Sequence, residues 1–303
     1  MVAHDARGVR IAATVVTPER VLVIGDALLD VRVAPSRLLR AGADVPAAVT
    51  LAPGGQGANV AVRLARRGVP VDLACALGSD RAATVLRDAL TADGVRLVEL
   101  ETDGTGAVVV LAGPGGERTM LSQRPALATQ AGSVDPSTAD WVVVSGYVLA
   151  EPDGDALAGP LAEVARRVVL GCSLGDGEHA SWASRVAALH ADVLVLNRDE
   201  AAALEPLPPA TVVVVTDADG AEARVGGRVL RVRGSANHDA VDTTGAGDAF
   251  AAALVAELRD RPWPPGTTEL EAAMVAGTML AAQVTRVVGA QTRVPLEMDA
   301  TLR

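Results

Sequence analysis

A nine-residue segment late in the chain combines glycines, a helix start and a carboxylate. Residues 242–250 read DTTGAGDAF, and a helical pattern continues to residue 258. Gly245 and Gly247 allow close approach to the backbone, and the first N–H groups of a helix attract an anion such as phosphate. Asp248 lies beside that anion site, where its carboxylate can accept a proton from an attacking hydroxyl. The segment therefore indicates phosphoryl transfer to an alcohol.

Two other interpretations of this segment are weaker. Asp248 can be an ordinary acidic residue of a first helical turn, with the glycines forming a tight turn. A GxG pair alone would favour that interpretation, but the full nine-residue run favours a functional one. A dinucleotide-binding fingerprint is disfavoured because Phe250 replaces its third glycine and because the segment comes late in the chain.

Residues 53–61 (PGGQGANVA) form a second glycine-rich segment, which opens a helix. Gly54, Gly55 and Gly57 permit close backbone approach, and Asn59 can both donate and accept hydrogen bonds, as recognition of sugar hydroxyls requires. Taken alone, the segment favours a loop-to-helix turn without a ligand. Its coexistence with residues 242–250 favours a ligand site.

Polar residues also follow two predicted strands. Residues 197–200 (NRDE) come directly after an apolar run, and ligands bind at such carboxyl ends in open α/β sheets. Asn197 and Glu200 could hold Mg²⁺ through its waters, or cap a helix, and the two roles are compatible. Asp30, shortly after the first strand, is either an acceptor for vicinal hydroxyls or a solvated loop acid.

The composition excludes several classes of chemistry. All 27 basic residues are arginine, so Schiff-base chemistry, pyridoxal-phosphate attachment and the Walker P-loop are ruled out. The net charge of −10 argues against nucleic acid as a partner. Two cysteines in apolar runs, an N-terminus without a secretion signal and the absence of an apolar run of about 18 residues predict a cytoplasmic protein outside the membrane. The four scattered histidines make a zinc site improbable.

Valine-rich runs alternate with helical patterns, which predicts an α/β fold with a central, mostly parallel sheet and helices on both faces. The predicted strands are 21–25, 71–77, 141–145, 168–172, 193–196 and 212–215. The predicted helices are 58–67, 80–93, 156–167, 180–190 and 248–258. A hairpin is expected at 224–232, around Gly226 and Gly227.

Two further strand pairs interrupt the alternation. Residues 28–34 with 47–51, and 107–111 with 118–121 across a turn at 113–116, predict antiparallel pairs. We expect them to form a small β-sheet lid, drawn from about 28–52 and 106–122, within one domain spanning 1–303. Because an uncovered sheet edge favours pairing, the lid strands suggest a homodimer.

Together the motifs resemble the two signatures of the ribokinase-like (phosphofructokinase-B type) carbohydrate kinases. The resemblance runs from about residue 21 and includes Asp30, the NRDE segment and residues 285–291 (TRVVGAQ). It implies the ribokinase-like fold and the transfer of a phosphoryl group from ATP to a hydroxymethyl group of a small sugar or nucleoside. It further implies Mg²⁺ and a monovalent cation, commonly K⁺.

The resemblance also implies a role for each matching residue. The catalytic base is Asp248, and the anion hole is Gly245, Ala246 and Gly247. The substrate contacts are Asp30, Gly55, Gln56, Asn59 and Asp248. The nucleotide contacts are Asn197, Thr216, Gly220, Gly245 and Gly247. The predicted Mg²⁺ ligands, acting through water, are Glu200 and Asn197. The predicted ligands of the monovalent cation are Asp242, Thr244 and Ala290.

Several positions depart from the family pattern. Gln56 stands where ribokinases often have lysine, and residues 145–147 replace an acidic sugar contact. The 216–220 turn (TDADG) is unusually acidic, and the 285–291 loop is one residue longer than the common form. We therefore expect a sugar kinase. The alternatives are an adenosine- or pseudouridine-type nucleoside kinase, which the scarcity of aromatic residues disfavours, and a non-catalytic sugar-binding relative, which the intact DTTGAGD disfavours.

Overall fold

The structure is a computed structural model that describes residues 20–113, 118–136, 139–162, 164, 166–175, 177–234 and 240–294. The strands in this part of the chain are β1 Val21–Ile24, β2 Leu28–Pro35, β3 Ala47–Gly54, β4 Val71–Ala76, β5 Arg96–Leu100, β6 Ala107–Ala112, β7 Arg118–Gln123, β8 Trp141–Val144, β9 Arg166–Leu170, β10 Val193–Asn197, β11 Val212–Asp217, β12 Gly220–Val225 and β13 Arg228–Arg233. The helices are α1 Gln56–Arg66, α2 Arg81–Ala92, α3 Ala128–Ala131, α4 Gly146–Ala150, α5 His179–Ala188, α6 Arg198–Ala203, α7 Ala246–Leu258 and α8 Thr267–Val284.

The larger sheet has nine strands in the order β13-β12-β11-β10-β9-β8-β1-β4-β5. From β11 to β5 all pairs are parallel, and β12 and β13 extend the edge as the predicted antiparallel hairpin, turning at Gly226 and Gly227. Successive residues of β1 enter opposite cores, Val21 and Val23 on one face and Leu22 and Ile24 on the other. This two-sided burial explains the unbroken apolar runs and confirms the predicted fold class.

Helices cover both faces of this sheet. Residues of α1, α2, α7 and α8 pack into one core, and residues of α3 to α6 pack into the other. The sequence analysis missed α8, an 18-residue helix that packs along α7 and against β13. A Cβ added to Gly277 on α8 would lie 2.7 Å from the Phe250 ring, so a glycine at this position allows the two helices their close approach.

The helix predicted at 156–167 is wrong. This stretch holds a short 3₁₀ turn at Gly154–Leu157, further turns, and the start of β9 at Arg166. Gly159 and Pro160 interrupt helix formation, because proline restricts the residue before it and lacks an N–H donor. The apolar residues of this stretch still pack into the core, since Leu157 and Leu161 are buried.

The smaller sheet, hereafter the lid, has the order β3-β2-β6-β7. The pairs β2–β3 and β6–β7 are antiparallel, as predicted, and a parallel pair between β2 and β6 joins them. The predicted turn at 113–116 lies outside the described residues, apart from Gly113. Within the described residues, no helix combines the length and apolar character needed to cross a membrane.

Candidate active site

A cleft lies where the carboxyl ends of the parallel strands meet the first turns of α1 and α7. It is open to solvent and contains about 490 Å³ of space. Its lining includes the predicted site residues Gln56, Asn197, Glu200, Thr216, Gly247 and Asp248, together with Gly171 at the end of β9. Residues from five separate segments of the sequence therefore share one cavity.

Glycines place the start of α1 directly on the end of β1. A Cβ on Gly57 would lie 2.6 Å from the Gly25 backbone, so neither residue can carry a side chain without movement. Gly55, with φ of 94°, is the N-cap, and a Cβ there would lie 2.6 Å from the Asp26 carbonyl oxygen. These glycines bring Gln56 and Asn59 to the cleft.

The predicted anion hole lies at the start of α7. Gly245 caps the helix with φ of 78°. The Ala246 N–H makes a long 3.3 Å bond to the Thr243 carbonyl, whereas no backbone carbonyl in the described ranges accepts from the N–H of Gly247 or Asp248. A Cβ on Gly247 would meet no atom within 4 Å, so this glycine faces open space. The two amides suit an anion at the helix N-terminus.

Asp248 is held in the first turn of α7 by a hydrogen bond from the Asn59 Nδ2 atom to its Oδ2 atom, at 2.7 Å. Burial raises the pKa of its carboxyl to about 7, with the charges of Asp26 and Glu200 adding to the rise, while the Asn59 hydrogen bond and Arg63 oppose it. A carboxylate with this pKa suits a general base near neutral pH.

Asn59 and Gln56 make contacts within the protein. The Asn59 Oδ1 atom accepts from Gln291 Nε2 at 3.0 Å, so the amide that holds Asp248 is itself oriented. Gln56 accepts from Ser145 Oγ and the Gly146 N–H and donates to the Gly171 carbonyl, joining α1 to the ends of β8 and β9. Their predicted sugar contacts stay predictions, and the structure adds a positioning role to each.

Asp30 lies on lid strand β2, with its carboxylate over Gly54. Burial raises its pKa to about 6, helped by Asp26 and Asp242 and opposed by Arg124. The sequence analysis did not assign roles to Asp26 or Arg124. Asp26 is buried after β1 and accepts from Arg124 Nε at 3.1 Å.

Arg124, which follows β7, also stacks its guanidinium on Tyr147, 3.9 Å from the ring centroid. Its pairing with Asp26 spans 98 residues of sequence, so no local spacing could have revealed it.

Asn197 and Glu200 form a reciprocal capping box at the start of α6, each side chain accepting from the other residue's N–H at 2.8 Å. The Glu200 side chain lies against Gly171, and burial raises the pKa of its carboxyl. Within the described ranges, no three His, Cys, Asp or Glu side chains gather as a metal cluster. The amide oxygen of Asn197 and the carboxylate of Glu200 are oxygen donors of the kind that fit Mg²⁺ held through waters.

The 216–220 turn begins at the same cleft with Thr216, while Asp217, Asp219 and Gly220 line a separate cavity beside Arg198. Thr216 lines the cleft and donates from Oγ1 to the Leu196 carbonyl at 3.3 Å. The Asp217 carboxylate accepts from the Asp219 and Gly220 N–H groups and pairs with Arg198. Gly220 has φ of 139°, which permits the turn. The negative charge that the sequence places here is therefore partly offset.

The predicted monovalent-cation ligands do not fit a bare cation as they are placed. The buried Asp242 carboxylate accepts from the Thr244 and Gly289 N–H groups, each at 3.0 Å, and from Arg32 Nη1 at 2.6 Å. The Ala290 carbonyl accepts from Arg63 Nη2 at 2.5 Å. Arginines thus hold two of the three predicted ligands.

Comparison with known proteins is consistent with this fold and cleft. Residues 18–297 match the model of the pfkB family of carbohydrate kinases, and the chain belongs to that family. It is therefore a kinase, as the resemblance predicted.

Solved structures share the fold at low sequence identity. Ribokinase from Thermotoga maritima is 19% identical, with a TM-score of 0.74 over 91% of this chain and 96% of that one. An uncharacterized sugar kinase from Pyrococcus horikoshii in complex with ATP is 23% identical (TM-score 0.75, 90% and 95% covered). Aminoimidazole riboside kinase from Salmonella enterica, complexed with aminoimidazole riboside and an ATP analog, is 23% identical (TM-score 0.72, 91% and 96% covered).

Proposed function

We propose that the protein transfers the γ-phosphoryl group of ATP to a hydroxymethyl group of a small sugar. The observation that carries this proposal is the Asp248 carboxylate, with a pKa of about 7, beside the open N–H groups at the start of α7. Family membership supports the reaction class, and the ATP in the Pyrococcus horikoshii complex supports the donor.

In this reaction Asp248 orients the acceptor hydroxyl and takes its proton. The hydroxyl oxygen bonds to the γ-phosphorus, the bond from that phosphorus to the bridging oxygen breaks, and ADP leaves with the electron pair. The N–H groups of Gly247 and Asp248 offset charge on the transferring group. Asn59 keeps the carboxylate aimed, and lid closure would exclude water and limit ATP hydrolysis.

The nucleotide side of the cleft is assigned to Asn197, Thr216 and Gly220, with Gly245 and Gly247 at the phosphates. Mg²⁺, when bound, offsets phosphate charge, and Glu200 and Asn197 would hold it through water. The acceptor side is assigned to Asp30, Gly55 and Gln56 below the lid.

A nucleoside is the second candidate acceptor, because the Salmonella enterica relative was solved with a riboside. Against it, the Tyr147 ring near the acceptor side is already covered by Arg124, which leaves that face unavailable for stacking on a base. The Asp30 carboxylate suits the hydroxyls of a sugar, which donate to carboxylates. A sugar is therefore the preferred acceptor.

The same proposal treats residues 1–303 as one kinase domain acting in the cytoplasm. It also includes a homodimer formed through the lid. Across the lid, Leu51, Val31, Val109 and Leu121 form one row on the face opposite Asp30, and Leu51 and Leu121 are exposed. An exposed apolar row on a β-sheet suits a second copy.

The test is release of ADP from MgATP with a panel of pentoses, hexoses, sugar acids and nucleosides. We expect acceptor-dependent release with at least one sugar, and release slower by about 10²–10⁴-fold in the Asp248→Asn variant. Release with nucleosides alone would replace the sugar by the second candidate. Absence of both turnover and ATP binding would instead indicate a sugar-binding protein and overturn the proposal.

A further inference from the structure

Arginine 32 reaches from the lid to a buried carboxylate beneath the anion hole. Its Nη1 atom lies 2.6 Å from Asp242 Oδ2, and the Asp242 side chain is 1% exposed. Asp242 also accepts from the N–H of Thr244, directly before Gly245, and of Gly289. A buried carboxylate requires a compensating positive charge, and here a guanidinium supplies it.

The loop of residues 289–292, which contacts Asp242 through the Gly289 N–H, is also bound by arginine side chains. Arg63 on α1 is 3% exposed and donates to the carbonyls of Ala290 and Thr292, while Arg66 donates to the carbonyl of Gln291 at 2.6 Å. The carbonyl of Ala290, a predicted cation ligand, and the next two carbonyls of the loop therefore all accept from guanidinium groups. The Ala290 side chain also packs against Gly245, so the position of this loop fixes the helix N-cap.

We infer that Arg32 and Arg63 replace the monovalent cation in this protein, so that its fold and turnover do not depend on K⁺. Arg32 further acts as a positioning residue, because it joins lid strand β2 to the segment that begins the anion hole. The turnover half of this inference rests on the proposed function. The part about the cation concerns binding and stability, so it can be tested without any turnover.

The test compares the wild type with Arg32→Ala in KCl and in choline chloride at equal ionic strength. We expect the melting temperature of the wild type to be the same in both salts. In Arg32→Ala, loss of the buried partner lowers the melting temperature in choline by about 5 °C or more. K⁺ then enters beside Asp242 and restores about 3 °C or more.

Two further variants distinguish the loss of positive charge from general destabilisation of the fold. Arg32→Lys keeps a cation near Asp242 and should remain insensitive to K⁺. Arg37→Ala is the matched control, since Arg37 follows the same lid strand and its side chain donates to the exposed Asp44 carbonyl rather than to a buried carboxylate. It should match the wild type in both salts.

Turnover and direct binding complete the test. The wild type should turn over equally in both salts, and Arg32→Ala should gain stimulation by K⁺ of about fivefold or more. Titration calorimetry with Tl⁺, a K⁺ mimic, should show binding to Arg32→Ala and none to the wild type.

K⁺-dependent melting or Tl⁺ binding in the wild type would overturn the inference, as would an Arg32→Ala protein that folds but ignores K⁺. Should Arg32→Ala fail to fold in either salt, the wild-type Tl⁺ titration decides alone. A protein inactive on every acceptor, yet insensitive to K⁺ in melting, would refute the proposed function and leave this inference intact.

Discussion

The raised pKa of Asp248 comes from its surroundings rather than from its residue type. Burial and the neighbouring acids raise its pKa to about 7, and the amide of Asn59 limits that rise while fixing the carboxylate. A base poised near neutral pH can take a proton from a hydroxyl and return it to solvent afterwards.

Replacing Asp248 by Asn should lower kcat by about 10²–10⁴-fold, the loss typical of a missing general base. Steady-state kinetics on the best sugar of the panel measure the change. Asp88→Asn, on the exposed face of α2, is the matched control and should keep wild-type turnover. Near-normal turnover of the Asp248 variant would refute its assignment as the base.

The same substitution should change the pH dependence of stability. In the wild type, the folded state keeps the Asp248 proton up to a pKa of about 7, whereas an unfolded aspartate loses it near 3.8, so this group makes folding less favourable as pH rises through that window. Asp248→Asn removes this effect. Its melting temperature relative to the wild type should therefore increase between about pH 5 and pH 8. A constant difference would contradict the raised pKa.

Asn59→Leu should move the acidic limb of the kcat/KM profile to higher pH. The hydrogen bond from Asn59 lowers the pKa of Asp248, so its removal lets burial raise that pKa further. A purely structural role would lower kcat/KM without moving the limb, and a pH series distinguishes the two.

At the scale of elements, the start of α7 contains two glycines with different roles. Gly247→Ala adds a methyl group to open space, so the unfolding free energy should stay equal or rise by up to about 1 kcal/mol. Turnover should fall, because the added methyl group obstructs the phosphate. Gly245→Ala should instead destabilise the fold by about 1–2 kcal/mol, because its φ of 78° and its contact with Ala290 exclude a Cβ.

Denaturant unfolding and kinetics on both variants test this pair. A Gly247→Ala protein with full turnover would show that no phosphate approaches this turn. Equal stability losses in the two variants would contradict the difference in packing.

At the scale of the molecule, the two faces of the lid have different tasks. One carries Asp30 and Arg32 toward the cleft, and the other exposes the row through Leu51 and Leu121. We expect Leu51→Asp combined with Leu121→Asp to convert a dimer to a monomer in light scattering. Met120→Asp, on the opposite face of β7, should leave the mass unchanged. A wild-type protein that is monomeric at all concentrations would refute the lid dimer.

Local patterns in the sequence predicted most strands of the large sheet, both lid pairs, the hairpin and the two glycine-rich segments, because each depends on neighbouring residues. They missed the edge strand β5. They failed where the pattern was absent or interrupted. Helix α8 lacks a clear apolar stripe in the sequence because apolar residues such as Ala272 and Met279 also occupy its exposed positions. In the stretch predicted as a helix at 156–167, Pro160 interrupts an otherwise helical spacing.

The sequence alone also predicted Asp248 as the candidate base, because a contiguous motif surrounds it. Only the tertiary structure showed which residues pair with each of these side chains or carbonyl groups. Asn59 and Asp248 are 189 residues apart, Arg32 and Asp242 are 210 apart, and Arg63 and Ala290 are 227 apart. Such pairs leave no spacing signal, because their geometry arises only when the strand ends, the lid and the two helix N-termini fold around one cleft.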